Sequence, residues 1–196
     1  MSPTPRRSLV RLGAFAVTGL LAGCAGVPPR ADGGQDDANP RVSLSSVDDD
    51  PDLPVRPGVE VVRATATSDH PPRLRTTLAN TTDEPVRVGE GRAVHFEYVA
   101  DDARDLLLLP SETEREYPAE PRCWRLTDGI AVTEEYRTFA VDPAEPSSRL
   151  VDLYATAGGE GCLPTGEFRF ETTIAVLSDE LEPRASATWG FVVELA

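Results

Sequence analysis

Three cysteines, two histidines and an excess of carboxylates are the side chains of this chain that could do more than pack. Cys123 and Cys162 lie far apart, so they do not form the short Cys-x-x-Cys of redox proteins. Three states remain open for them from spacing alone: a structural disulfide, two free thiols, or a redox pair. His70 and His95 have no second His or Cys at metal-ligand spacing. The acidic run Asp48–Asp52 lacks the glycine and the terminal glutamate of a calcium loop and reads as a solvated stretch. No metal and no cofactor is expected.

Catalytic patterns are equally sparse. There is no Gly-x-Ser-x-Gly elbow and no His-Glu-x-x-His, and Gly158-Gly159-Glu160-Gly161 lacks the strand-loop-helix setting of a phosphate cradle. Glu134-Glu135 could serve glycoside chemistry, but among 33 acids such a pair is expected by chance. A copper protein of the cupredoxin type needs a Cys, two His and an axial Met. The single methionine is Met1 and no histidine follows Cys162, which removes that class. The chain reads as a non-enzyme. Asn80-Thr81-Thr82 is a glycosylation sequon within a turn-forming stretch, and Asn80 is the candidate acceptor.

The third cysteine lies in a different setting. The first 23 residues hold three arginines, Arg6, Arg7 and Arg11, and no acid; an uncharged run, Leu12 to Gly23, follows. Twelve helical residues span only ~18 Å, short of the ~30 Å of a bilayer core, so the pattern is that of a signal peptide and not of a membrane span. Arg6-Arg7-Ser8-Leu9-Val10 resembles the twin-arginine export signal. Leu21-Ala22-Gly23-Cys24 resembles the lipobox of lipoproteins. That resemblance implies cleavage before Cys24, a lipid on its sulfur, and a protein held on the outer face of the cell membrane. Small residues suit the peptidase cleft, and a thiol is the nucleophile that takes the lipid. With Cys24 assigned to lipid, Cys123 and Cys162 are an even pair in an exported domain, for which a disulfide is expected. A closed loop of ~40 residues is worth about 4 kcal/mol in the chain-entropy model.

Cleavage removes three basic residues and no acid, leaving 16 basic and 33 acidic residues and a net charge of −17. Every lysine-or-arginine position is arginine. Such a surface repels nucleic acid and anionic lipid. Acid excess, absent lysine, the twin-arginine signal and the lipobox together resemble secreted lipoproteins of haloarchaea. Molar salt, with a screening length of ~3 Å, makes a surface of this kind tolerable.

The elements that would carry these residues follow from periodicity. Residues 24–57 hold no aromatic side chain, six prolines and an acidic run, the composition of a flexible acidic linker with a reach of roughly 30 Å. Within it Arg41–Val47 alternates briefly and could add an edge strand. From Gly58 the pattern is period two: Val59 and Val61; Leu74, Thr76 and Leu78; Val86 and Val88; Val94, Phe96 and Tyr98; Leu106–Leu109; Ile130 and Val132; Tyr136, Phe139 and Val141; Leu150–Tyr154; Phe168–Val176; and Trp189–Leu195. His70 is expected in an exposed turn and His95 on a solvent-facing strand position. Ser111–Glu116 could form one helical turn. Many short strands with turn clusters between them predict an all-β domain, an antiparallel β-sandwich of about seven to nine strands over 58–196. Leu78–Val88 resembles a hairpin common in immunoglobulin-like extracellular domains, and so does Leu163–Phe170, where a Pro/Gly turn feeds a strand with aromatics on one face. That resemblance implies the fold and carries no activity with it. The functional expectation is a non-catalytic binding or structural module of the cell envelope with a protein or glycan partner. The alternative is an accessory, substrate-presenting subunit of a transporter or respiratory complex.

Overall fold

A computed structural model describes residues 40–111, 116–133, 135–159 and 161–196. The expected signal peptide (residues 1–23, with Arg6 and Arg7) and the candidate lipidation site Cys24 lie outside them, as does most of the expected Ser111–Glu116 turn. The described chain is built from ten strands: β1 (Val42–Val47), β2 (Val55–Arg63), β3 (Arg73–Asn80), β4 (Val86–Gly89), β5 (Val99–Ala100), β6 (Leu106–Pro110), β7 (Thr138–Val141), β8 (Ser147–Ala155), β9 (Gly166–Leu177) and β10 (Pro183–Leu195). They form two antiparallel sheets of five, in the orders β1-β10-β9-β4-β7 and β2-β3-β8-β6-β5. With β2, β3, β8 and β6 taken as strands A, B, E and D, and β4, β9 and β10 as C, F and G, the order is that of a constant-type immunoglobulin sandwich. β1 extends the sheet beyond G, and β7 flanks C.

Alternation fixes which side chains enter the space between the sheets. On β9, Phe168, Phe170, Ile174 and Val176 point inward; on β10, Trp189, Phe191, Val193 and Leu195 do the same. Phe96, Phe170, Trp189 and Phe191 form an aromatic centre, with Phe96 and Phe191 ring centroids 4.8 Å apart. β9 and β10 close tightly at Gly190, where a Cβ would lie 2.4 Å from the Phe170 carbonyl oxygen. Antibody domains bridge B and F with a disulfide. Here β3 and β9 carry no cysteine and place Leu74, Leu78, Phe170 and Ile174 in the apolar core instead.

Four expectations need correction. The folded domain starts well before residue 58: β1 and the start of β2 fall within the predicted linker 24–57. Val42 is buried, and Val42 to Val47 pair with Leu195 to Phe191 of β10. The acidic run is tied down as well, because Arg169 donates to both Asp48 oxygens (3.0 and 2.6 Å) and Trp189 Nε1 donates to the Asp48 carbonyl at 3.3 Å. A segment without aromatics is thus ordered by partners far along the chain. Second, Leu78–Val88 is not a hairpin but an arch, since β3 and β4 belong to different sheets. Third, Val94–Tyr98 is not a strand. It forms a 3₁₀ turn (Ala93–His95) followed by left-handed Phe96 and Tyr98, with φ of 59° and 65°. Fourth, Ile130 and Val132 lie in a loop with no strand.

Candidate functional site

The outer face of the β2-β3-β8-β6-β5 sheet carries a second layer. Along β8, Val151, Leu153 and Ala155 enter the main core, while Tyr154 points to the other side; on β6, Leu109 does likewise. Leu126 and Trp124, from the long connection between β6 and β7, cover these two side chains together with Tyr98, Tyr117 and Ile130. This connection is a strap. Leu126 N–H donates to the Ala155 carbonyl and Ala155 N–H to the Trp124 carbonyl, each at 2.9 Å. Trp124 Nε1 donates to the Thr67 carbonyl at 2.8 Å. Arg125 donates to the carbonyls of Gly159 and Gly161, at 3.2 and 2.9 Å, and to Glu120 Oε1 at 2.5 Å. The Cys123–Cys162 disulfide staples it, the state expected of an even pair, with Cα atoms 4.5 Å apart. Both neighbours of Cys123 are left-handed, Arg122 at φ 67° and Trp124 at 53°. Burial beneath the strap, and then the Asp152 carboxylate, push the Tyr154 phenol up to about 12, opposed by Arg73.

Where the strap leaves the sheet it walls a cleft of about 300 Å³. Ala131, Val132 and Thr133 form the strap side, and Pro110 of β6 and Leu150 of β8 add apolar wall. Three guanidiniums line it: Arg92 from the β4–β5 connection, Arg137 just before β7, and Arg149 on β8. Glu97 is the one carboxylate of the lining among the described residues. Arg92 is fixed by three contacts, Nε to Glu90 Oε1 (3.4 Å), Nη1 to Thr133 Oγ1 (3.4 Å) and Nη2 to the Glu135 carbonyl (2.5 Å). Arg137 holds Glu135 Oε2 through Nε and Nη2 at 3.0 and 2.6 Å, which keeps the Glu135 carboxyl below its usual range. Nothing in the spacing of Arg92, Arg137 and Arg149 signals that they meet; the sandwich and strap bring them together.

His95 is buried and not solvent-facing, which corrects the sequence expectation. Thr76 Oγ1 donates to the His95 carbonyl (3.2 Å), so it accepts from Nδ1–H at 3.1 Å. Nε2 is then unprotonated and accepts the Ser147 hydroxyl at 2.9 Å. The connectivity is that of a nucleophile, base and orienting group. Burial, and then Arg149, lower the imidazole to about 4, below the near-neutral value that suits a general base. The orienting group is a neutral threonine, which cannot balance an imidazolium. The array ties the 3₁₀ turn to β3 and β8. His70 lies in an exposed turn before Pro71, as expected.

Asn80 ends β3 and organises the arch. Its Nδ2 donates to the carbonyls of Glu84 (2.7 Å) and Val141 (2.8 Å), and its Oδ1 accepts from Thr82 N–H and hydroxyl, both at 2.8 Å. A glycan would replace one of the two Nδ2 hydrogens, so the folded arch and glycosylation compete for that atom. Among the described residues no group of three or more His, Cys, Asp or Glu side chains could hold a metal ion, and no helix is long and apolar enough to cross a membrane. A second depression of about 780 Å³ lies beside the arch, where Asp83, Glu84 and Asp179 mix with Arg87 and Arg184.

Fold and site together define an all-β sandwich with immunoglobulin strand order, carrying a disulfide-stapled strap and a cleft lined by arginine. No family model, curated protein or solved structure matches this chain.

Proposed function

We propose that this chain is an exported lipoprotein, anchored at Cys24 on the outer face of the membrane of a salt-adapted cell, whose sandwich binds a partner without chemical turnover. The observation that carries the reading is the Cys123–Cys162 bridge in the strap that walls the cleft. Disulfides persist in oxidising compartments and are rare in a reducing cytosol, which agrees with the signal peptide and lipobox patterns of residues 6–24. The arginines of the cleft are held by carboxylates and carbonyls in a fixed array, an arrangement suited to recognition. Salt adaptation is supported by 33 acids against 19 arginines and no lysine.

The test is cell fractionation with a membrane-impermeant label, comparing wild type with Cys24→Ser. The wild type should be labelled from outside and partition with the membrane; the variant should stay unprocessed or leave the membrane fraction. A variant that matures and partitions like the wild type would remove the anchored reading. Stoichiometric recovery with a membrane complex in mild detergent would replace the free-standing module with the accessory-subunit alternative.

A further inference from the structure

We infer that the open edge of β10 at residues 184–188 takes up an extended segment of another protein as an added antiparallel strand, a segment of small and β-branched residues with basic residues at both ends. The inference rests on the reading of the sandwich as a binding module and names its partner.

The edge is open because its neighbours differ in length. β10 pairs with β9 from Pro183 to Leu195. On its other side β1 reaches only to Val47, opposite Phe191, and the Asp48 N–H closes that ladder on the Gly190 carbonyl at 3.0 Å. Successive residues of an antiparallel strand turn their backbone groups to opposite sides. Gly190 faces β1. Thr188 and Ser186, in unbroken register with Thr173 and Ala175, therefore turn their N–H and C=O groups to the same side. Among the described residues no strand pairs with β10 there. An added strand would continue the line of β1.

Nothing bulky shields these groups. Ser186 and Thr188 are exposed. Ala185 and Ala187 share the inward parity of Trp189 and Phe191, yet Ala185 is exposed and Ala187 only half-buried, so β10 overhangs the core at this end. The other sheet edges carry the devices that discourage pairing. β2 holds Pro57 between Arg56 and Glu60. β1 is bulged between Leu44 and Ser46, and its Val42 N–H is used by the Ala64 carbonyl at 2.8 Å. β7 is four residues long and its Val141 carbonyl accepts from Asn80 Nδ2. β5 has two residues.

Charge selects the occupant. Exposed acids flank the edge at both ends: Asp179, Glu180 and Glu182 in the β9–β10 turn, and Asp49, Asp50 and Asp52 where the chain leaves β1. Asp50 is paired with Arg56. Arg184 is the one cation on the edge, so carboxylates stay in surplus after the pair is counted. Beside the turn, Asp83 and Glu84 with Arg87 leave that balance negative. A second copy of this chain is the wrong occupant. Two β10 edges paired antiparallel would set the acids of one turn against Asp49 and Asp52 of the other copy. A segment with basic ends meets opposite charge at both. Backbone hydrogen bonds then hold it, and its ends choose it over other strands.

The experiment titrates the full chain with the synthetic peptide Lys-Arg-Val-Thr-Val-Thr-Val-Arg-Lys at an ionic strength of about 0.15 M, read by calorimetry and amide hydrogen exchange. The peptide should bind saturably and slow exchange at Ser186 and Thr188. The same peptide N-methylated along its Val-Thr core, which cannot donate to the edge, should not bind. A peptide with glutamate in place of its four basic residues should bind at least about ten-fold more weakly. Ser186→Pro removes a donor that faces away from β9, as edge proline does, and should weaken binding about ten-fold or more. The triple variant Asp179→Asn, Glu180→Gln, Glu182→Gln removes exposed charge alone; it should weaken the basic peptide and not the glutamate peptide, and it decides the matter if Ser186→Pro does not fold. Glu145→Gln, in the turn after the opposite edge strand β7, should change nothing. A melting temperature equal to wild type separates lost binding from lost folding. Absent saturation, protection at another edge instead of Ser186 and Thr188, equal binding of either control peptide, or unchanged binding in the folded variants would each overturn the inference. Such a failure beside a successful Cys24→Ser experiment removes the partner and leaves the anchored module; the reverse pattern removes the anchor and leaves the partner.

Discussion

The two layers stacked on the β2-β3-β8-β6-β5 sheet are held by different forces. On its inner face, ladders of backbone hydrogen bonds meet a continuous apolar core with four aromatic rings at its centre. No covalent link joins the two sheets there. On its outer face, among the described residues, the strap makes isolated bridges, Ala119 to Leu126 and Arg125 to Ala155, and its buried cluster is three side chains, Leu126 over Leu109 of β6 and Tyr154 of β8. That small cluster cannot offset the entropy of ordering a long loop. The disulfide, the Arg125 bonds to carbonyls and Trp124 Nε1 supply the difference. A cross-link appears where apolar burial is insufficient, and the immunoglobulin order of strands stands without the bridge between strands B and F.

The sharpest way to break this contrast is to damage the inner layer. Phe191→Ala removes the ring that touches Phe96, Phe170 and Trp189. A cavity of that kind costs about 3–5 kcal/mol, a large part of the net stability of a domain. Thermal unfolding should shift both layers down together, since the strap has no sheet to rest on once the sandwich melts. A melting temperature equal to wild type would mean the aromatic centre is not the seat of stability.

Damage to the outer layer should stay local. Replacing Cys123 and Cys162 with serine releases a loop of 39 residues, worth about 2–4 kcal/mol. Amide exchange at Leu126 and Ala155, which bond across the strap, should accelerate by about one to three orders of magnitude, while Phe191 keeps its protection. Equal acceleration at all three would show one cooperative unit and erase the distinction.

A third measurement reads the tie between the layers' shared sheet and the 3₁₀ turn. His95 has a folded pKa of about 4 against about 6.5 when unfolded. Between these values the unfolded state binds more protons, so stability falls as pH drops from about 6.5 to about 4, by roughly 3 kcal/mol at most. Asp48 and Glu135 have lowered pKa values, so what they contribute is lost as pH falls from the ordinary carboxylate range toward their lower folded values. Arg149 adds to the penalty on the imidazolium. Chemical denaturation from pH 7 to pH 4.5 should show this slope in the wild type and not in His95→Gln. A flat profile in both would mean that the imidazole is solvated.

Periodicity identified most of the sheet because an inward-outward alternation is a local property. The strands around Leu74–Leu78, Val86–Val88, Phe168–Val176 and Trp189–Leu195 are each visible as two-residue repeats. The same repeat misled at Val94, Phe96 and Tyr98. A tight turn that drives Val94 and Phe96 into the core gives the same spacing as a strand, and the left-handed backbone at Phe96 leaves no mark in composition. Asn80 was legible as a turn former, but its carbonyl partners, Glu84 and Val141, place it between two sheets instead of in a hairpin.

From the sequence alone came the all-β class, most of the strands, and the expectation that Cys123 pairs with Cys162. These depend on residue type and near-neighbour spacing. Tertiary structure decided that Val42–Asp48, legible in the sequence only as an optional edge strand in a linker, belongs to the fold, because Arg169, Trp189 and β10 order it from more than 120 positions away. It also decided that His95 is buried, because Thr76 and Ser147 supply the two hydrogen bonds that make its burial tolerable. And it alone gathered Arg92, Arg137 and Arg149 into one cleft: charge at a point depends on distances in space, which a chain folded into ten strands sets independently of separation along its length.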